Sequence, residues 1–324
     1  MKILCIRFSS IGDIVLATPV LRCLKQQLPS LELHFLCKPG MRDVVGTLPS
    51  LDRIHTFQPR DPEMPAALRA EHFDYVVDLQ KNRHSRRICR QLHVPHSTFP
   101  KLNFRKFLLV AFKWNLMPDC HIVDRYFRAV ERLGVKNDGQ GLDFSITQED
   151  KDELAAFPLP EKYIAVAVGS QHATKQIPAE LLEDVAMKSR LPLVFLGDGK
   201  DAAIVADIVQ RLPERTLNLC GKLSLRASAA CISRAETMLT GDTGLMHISA
   251  ALQKRIVSVW GNTVPAFGMY PYMPQHPERS IVVENSCCCR PCSKLGFERC
   301  PLRHFRCMRG IRAERIVDLL NTNK

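Results

Sequence analysis

Two short segments of this 324-residue chain combine residue types that bond chemistry needs. In the first, Arg7-Phe8-Ser9-Ser10-Ile11-Gly12-Asp13, an aspartate stands where an apolar run gives way to a helical pattern, with Gly12 permitting a tight turn. A carboxylate there either caps the helix, accepting its first amides, or takes a proton from an attacking hydroxyl. In the second, Leu239-Thr240-Gly241-Asp242-Thr243-Gly244-Leu245-Met246-His247, a strand end runs through small residues into a helix. The amides of Thr243, Gly244 and Leu245 would make an anion site of the size of a diphosphate. Asp242 is also placed to cap that helix, and His247 to pack within it.

Charge marks a third region. No acidic residue lies between Asp78 and Asp119, whereas Lys81, Arg83, Arg86, Arg87, Arg90, Lys101, Arg105, Lys106 and Lys113 are all basic, within a net charge of +12. An anionic partner is expected: nucleic acid, acidic lipid headgroups and a phosphorylated glycolipid all qualify, and a merely solvated basic face is the plainer reading.

Six of the thirteen cysteines fall between Cys287 and Cys307. Cys289, Cys292, Cys300 and Cys307 follow the spacing Cys-x2-Cys-x7-Cys-x6-Cys with His304 nearby, which suits a structural zinc or a set of reduced thiols, with disulfide or iron–sulfur chemistry as the remaining options. The other seven, Cys5, Cys23, Cys37, Cys89, Cys120, Cys220 and Cys231, are scattered through apolar segments and read as reduced core thiols. Asp150-Lys151-Asp152 has the form of a metal–nucleotide motif but sits in a charged helical stretch, where a solvated face is expected. No divalent cation is therefore expected in catalysis.

These groups need elements to hold them. Apolar runs at 2–8, 31–37, 54–57 and 75–79 read as strands alternating with helical patterns, one of them from Ile14 to Leu24. A second series begins after Pro158-Leu159-Pro160, with strand candidates at 163–168, 192–196, 216–219, 237–240 and 256–260. That rhythm predicts an α/β protein of two Rossmann-like, doubly wound domains, 1–157 and 158–324, facing a central cleft that the strand ends line. The start of the chain lacks a secretory pattern, and the apolar stretch Phe107–Phe112 is far short of the ~20 residues of a membrane span. A soluble or peripherally bound protein is expected.

Ser9-Ser10-Ile11-Gly12-Asp13, Lys175 after Gly169-Ser170, Gly221-Lys222-Leu223-Ser224-Leu225, Asp242-Thr243-Gly244-Leu245-Met246-His247 and Trp260-Gly261-Asn262-Thr263 occur in the order and spacing of glycosyltransferase family 9, and the resemblance covers nearly the whole chain. It implies the GT-B architecture and an inverting, metal-independent transfer of heptose, from ADP-heptose or a related nucleotide sugar, to the lipopolysaccharide core at the cytoplasmic face of the inner membrane. Asp13 matches the family's catalytic base and Lys175 its diphosphate-contacting lysine. Asp242, Thr243, Gly244, Leu245 and His247 match the donor-side loop, Gly169 and Ser170 the stretch before the lysine, and Asp201 an acidic residue near the ribose. A helix cap remains the alternative for Asp201.

On the acceptor side the resemblance points to Ser10, Gly12, Lys81, Arg83 and Arg86, whose guanidinium groups suit carboxylates and phosphates. His121 and Asp124 match an element of mainly structural role. One departure concerns the donor: Lys175-Gln176-Ile177-Pro178 stands where relatives commonly carry Lys followed by Arg/Lys-Trp-Pro, so an aromatic wall of the pocket is expected to be missing. No cofactor is expected beyond the possible structural zinc, and no nucleic acid. The competing readings are a nucleotide-sugar epimerase of the same architecture and a basic nucleic-acid-binding protein with a zinc module in 287–307.

Overall fold

A computed structural model describes residues 1–59 and 61–322. It holds two all-parallel sheets. The first comprises β1 (Lys2–Ile6), β2 (Glu32–Cys37), β3 (Arg53–Thr56), β4 (Tyr75–Asp78) and β5 (His96–Thr98) in the order β3-β2-β1-β4-β5. The second comprises β6 (Ile164–Ala167), β7 (Leu193–Leu196), β8 (Thr216–Asn218), β9 (Thr237–Thr240), β10 (Ile256–Trp260) and β11 (Ser280–Glu284) in the order β11-β10-β9-β6-β7-β8. Helices follow nearly every strand, so the expected α/β class with two doubly wound sheets is what the chain forms.

Two-sided coverage explains the composition of the strands. Residues 3–6 and all of β6, β7, β9 and β10 are buried, and such strands read as unbroken apolar runs rather than alternating ones. Leu4, Ile6, Leu36, Val76 and Ile88 anchor one core, and Ile164, Val166, Phe195, Leu239 and Val257 the other. The strand ends deviate from expectation by a residue or two, while β5 and β11, both sheet edges, were not anticipated. β5 is His-Ser-Thr, too short and polar to show as an apolar run. The helix expected over 14–24 is two, Ile11–Val15 and Thr18–Gln27, because Pro19 fits only a first helical turn.

The chain divides into two compact units, Met1–Leu102 with Cys120–Ser145, and Asn103–Asp119 with everything from Ile146 onward. The expected boundary at 157/158 thus differs from the division by contacts. Helix Gln148–Ala155 belongs with the second unit because Asp150 receives Nε and Nη2 of Arg226 at 3.0 and 2.8 Å, and Glu153 receives the amide and hydroxyl of Ser224. The solvated face expected at Asp150 is corrected accordingly: Asp150 is buried and bidentately paired, while Asp152 is exposed.

Candidate active site

Each sheet changes direction at one point. Strand order reverses between β1 and β4 in the first unit and between β6 and β9 in the second, and in open parallel sheets such switch points leave a crevice beyond the strand ends. The loops singled out for Asp13, Lys81, Lys175 and Asp242 leave strands at these points, whereas the Asp201 loop leaves β7. Residues 7–13 follow β1 and 79–82 follow β4; 168–175 follow β6 and 241–244 follow β9.

In the first unit Asp13 is held by three contacts. Nη2 of Arg7 approaches its Oδ2 at 2.6 Å, and the amide and hydroxyl of Ser10 donate to the same oxygen at 3.2 and 3.0 Å. The carboxylate is therefore both a partner in helix capping and half of an ion pair. Its side chain keeps 23% of its exposure, enough to meet a ligand. Burial pushes its pKa up, but the Arg7 charge and the Ser10 donors outweigh that and leave it below the ordinary aspartate value.

Arg7, which sequence pattern alone gave no role, builds this arrangement. Its guanidinium is nearly buried, donates to the carbonyls of Leu79 at 2.6 Å and Ser9 at 3.0 Å, and lies 5.9 Å from the centre of the Tyr126 ring. It ties β1 to β4 at the switch point while presenting a fixed positive charge to Asp13. Gly12 does not serve the turn assigned to it: it lies buried inside helix Ile11–Val15 and is absent from the left-handed glycines. Ser10 is exposed and touches Asp13 directly.

A cleft of about 220 Å³ beside β4 is lined by Asp78, Lys81, Arg86, Cys89, Arg90, His96 and Thr98. Asp78 is buried and spends its oxygens on the amides of Gln80 and Lys81 and the Ser85 hydroxyl, fixing the turn into helix Arg83–Leu92. The Lys81 ammonium donates to the Phe99 carbonyl. Arg83, Arg86 and Arg90 are exposed on the helix, and no ion pair engages them among the described residues. Arg86 joins Lys81 at the cleft, whereas Arg83 is not among its lining residues. His121 and Asp124 cap helix Ile122–Phe127 reciprocally, a structural task.

In the second unit the Lys175 ammonium pairs with Asp242 at 2.6 Å, both side chains being mostly buried. Thr263 donates its hydroxyl to the same Asp242 oxygen. Thr243 caps helix Gly244–Ala251, its hydroxyl accepting from the Met246 amide, so the amides of Gly244 and Leu245 stand in a first turn with no helical acceptor. A side chain at Gly241 would meet the Lys175 carbonyl at 2.3 Å; only glycine lets these two loops pass so closely. Residues 243–245 are partly exposed, whereas His247 is buried in the helix behind them.

Asp201 starts helix Ala202–Arg211 without capping it. Its carboxylate accepts from the Asp198 amide at 2.8 Å and lies where Cβ atoms on Gly169 or Gly197 would be. Those two glycines make room for it at the ends of β6 and β7. Burial raises its pKa, with no cation close enough to reverse the effect. Ser170 receives the Gln176 side chain on its carbonyl, and Ile177 is buried in the core, so neither residue after Lys175 supplies an aromatic surface.

The cysteine-rich segment braces these second-unit loops. Thr174 and Phe297 exchange three hydrogen bonds, Arg290 donates to the carbonyls of Gly261 and Thr263, and the Cys292 amide donates to the Asn262 carbonyl. The loops carrying Lys175 and the Asp242 partner Thr263 are thus both held from 290–297, a support that spacing did not reveal.

All thirteen cysteines are free. Their clustering differs from the expected quartet: Cys287, Cys289 and His304 bring ligand atoms within 4.8 Å of one another, while Cys292, Cys300 and Cys307 lie outside that group. The turn closed by the Arg290 amide on the Cys287 carbonyl sets the Cys287 and Cys289 sulfurs 3.3 Å apart, and Cys292 turns its thiol to the Cys289 carbonyl. Desolvation and the neighbouring thiols push Cys289 up to about 12, and Cys307, buried, up to about 11.

Two parallel Rossmann-like sheets, each with ligand-suited loops at its switch point, define a GT-B-type architecture. The chain belongs to glycosyltransferase family 9 (heptosyltransferase), whose profile matches residues 63–296. It is similar to lipooligosaccharide heptosyltransferase 2 of Campylobacter jejuni, 27% identical over 130 residues, a match that spans 39% of each chain. Lipopolysaccharide heptosyltransferase 1 of Escherichia coli K12 is 24% identical over 88% of this chain and 97% of its own. Among solved structures, ADP-heptose lipopolysaccharide heptosyltransferase II of E. coli superposes with a TM-score of 0.75 at 18% identity, covering 99% of this chain and 98% of that one.

Proposed function

We propose that the protein transfers heptose from ADP-heptose to an acceptor hydroxyl on the lipopolysaccharide core, with inversion. The observation that carries the reading is Asp13: a partly exposed carboxylate at a strand end, kept ionised by Arg7 and Ser10. In that state it accepts the proton of the attacking hydroxyl as the new glycosidic bond forms and the bond to the diphosphate breaks. Because Arg7 makes Asp13 a weak base, the proton moves late, once bond formation has made the hydroxyl acidic.

The leaving group departs as ADP, and its developing charge needs positive partners. Lys175 supplies an ammonium, and the amides of Gly244 and Leu245 supply helix-start donors next to Asp242. Asp242 and Thr263 act as positioning residues for that ammonium. We assign Thr243 to the cap, Gly169 and Ser170 to the loop that approaches the nucleotide, and Asp201 to a ribose hydroxyl. His247 supports the loop from beneath. Lys81, Arg83 and Arg86, with Ser10 beside the base, bind the anionic groups of the acceptor.

A lipid-linked acceptor of this kind supports a working position at the cytoplasmic face of the inner membrane. Among the described residues no helix is long and apolar enough to cross a membrane. Cys287, Cys289 and His304 would hold a structural zinc or iron ion with a further thiolate of the segment, consistent with the softness of the donors. Its chemistry would be confined to bracing 287–307.

Incubation with ADP-heptose and heptose-deficient lipopolysaccharide is expected to yield ADP and a heptosylated lipid in equal amounts. Consumption of ADP-heptose without acceptor would indicate an epimerase or hydrolase instead.

A further inference from the structure

Of the ten exposed large apolar side chains among the described residues, five lie in 104–116 and three in 295–302. Phe104, Phe107, Phe112, Trp114 and Leu116 keep between 54% and 71% of their exposure. The rings adjoin: Phe107 and Phe112 meet edge to face at 6.0 Å, and Phe112 and Trp114 lie 5.4 Å apart. Scattered surface hydrophobics are ordinary, but a cluster of adjoining exposed rings marks a contact surface.

The patch is built rather than frayed. Lys113 donates to the carbonyls of Val110, Cys289 and Pro291 at 2.7, 3.0 and 2.8 Å, tying the aromatic segment to the cysteine-rich one within the same unit. Arg105 donates to the Leu116 carbonyl, and Leu109 is the buried anchor of helix Asn103–Phe112. In the second segment Leu295 and Leu302 are 59% and 60% exposed, interleaved with exposed Lys294, Arg299 and Arg303, Glu298 being its one acid.

We propose that 103–116 and 294–303 form a membrane-contact surface, which lies on a bilayer bearing anionic headgroups and carries the enzyme to lipid-embedded substrate. The occupant is set by composition. Aromatic rings flanked by Lys and Arg suit the interfacial zone, where rings enter the acyl boundary and cations stay with headgroups. Residues 79–118 hold no acid that an anionic surface would repel. A ten-residue helix is too short to span and lies in the plane. The purpose of the surface rests on the lipid-linked acceptor proposed above, but its existence does not.

Sedimentation of the full chain with phosphatidylethanolamine/phosphatidylglycerol vesicles tests it. The wild type is expected to bind these and to bind phosphatidylcholine vesicles at least about tenfold more weakly. Trp114 fluorescence should shift to the blue and be quenched by brominated lipid, while buried Trp260 does not respond. The double variant F107S/F112S, which changes exposed residues and whose fold is to be checked by circular dichroism, should lose at least about tenfold in vesicle affinity. K294E/R303E should weaken binding to the anionic vesicles only. F107S/F112S should keep wild-type transfer to a de-acylated, water-soluble acceptor.

Wild-type protein that stays in the supernatant, or F107S/F112S that binds as the wild type does, would overturn the proposal. So would sedimentation velocity showing a wild-type oligomer that F107S/F112S dissolves, since the patch would then belong to a second copy. Vesicle binding without any sugar transfer would remove the heptosyltransferase reading and leave this surface standing.

Discussion

Asp13 and Asp201 occupy comparable places in the two units, each just beyond a strand end and each at or near the start of a helix, yet their environments drive them apart. Burial penalises the charge of both. At Asp13 the buried guanidinium of Arg7 and two Ser10 donors reverse the penalty and hold the pKa below the ordinary aspartate value. At Asp201 one amide faces it, Asp198 adds a like charge, and the pKa rises. A carboxylate on a Rossmann-like loop is therefore held ionised or pushed toward its neutral form according to whether a cation is built in behind it. The sequence motif shows the carboxylate; the cation comes from folding.

That contrast can be sharpened by substitution. The largest effect short of removing the base is expected on the donor side: Lys175→Ala should lower kcat/KM for transfer by about 10²–10³-fold, as loss of leaving-group stabilisation does, measured by ADP release. Arg7→Gln should come next, lowering kcat by at least about tenfold and moving the acid limb of the pH–rate profile upward.

The direction of that limb follows from linkage. With the folded pKa depressed, the Asp13–Arg7 contribution to stability is present above the unfolded aspartate value of about 4 and is lost as pH falls through the folded value. Wild-type activity is thus expected to show no Asp13 titration between about pH 5 and 8, whereas Arg7→Gln moves that titration upward.

Asp201→Asn should act more gently, raising KM for the donor by about 3–10-fold with kcat preserved, as the loss of one hydrogen-bond acceptor implies. A loss as large as that of Lys175→Ala would make the two aspartates equivalent and erase the comparison. The smallest kinetic effect is expected from Cys289→Ser: metal content by inductively coupled plasma spectrometry should fall, Tm should drop by a few degrees, and kcat should stay within about threefold of wild type, since the segment braces the loops through the Arg290 guanidinium and the Phe297 amide rather than through the Cys289 thiol.

The fold was readable because two-sided burial writes a parallel strand as an apolar run; β1, β6 and β7 show it plainly. His96–Thr98 did not register because an edge strand of three polar residues leaves no such run. Asp13 and Asp242 could be singled out, since loops after strands are where such chemistry resides, whereas Lys175 stands out only through the family resemblance. Arg7 could not: an arginine ending a strand looks solvated until Leu79 and Tyr126, distant in sequence, close around it. Asp150 misled for the same reason, its partner Arg226 being 76 residues away. The Cys-x2-Cys spacing pointed to Cys289 and Cys292, but the turn at Arg290 pairs Cys287 with Cys289 and leaves spacing a poor guide to proximity.

Heptose transfer as proposed depends on Asp13 as the base. The direct measurement is kcat/KM for heptose transfer by Asp13→Ala, alongside its affinity for ADP by titration calorimetry. A fall of about 10³-fold or more with ADP affinity unchanged is the predicted result. Transfer within tenfold of the wild type would contradict the assignment, whatever the donor affinity.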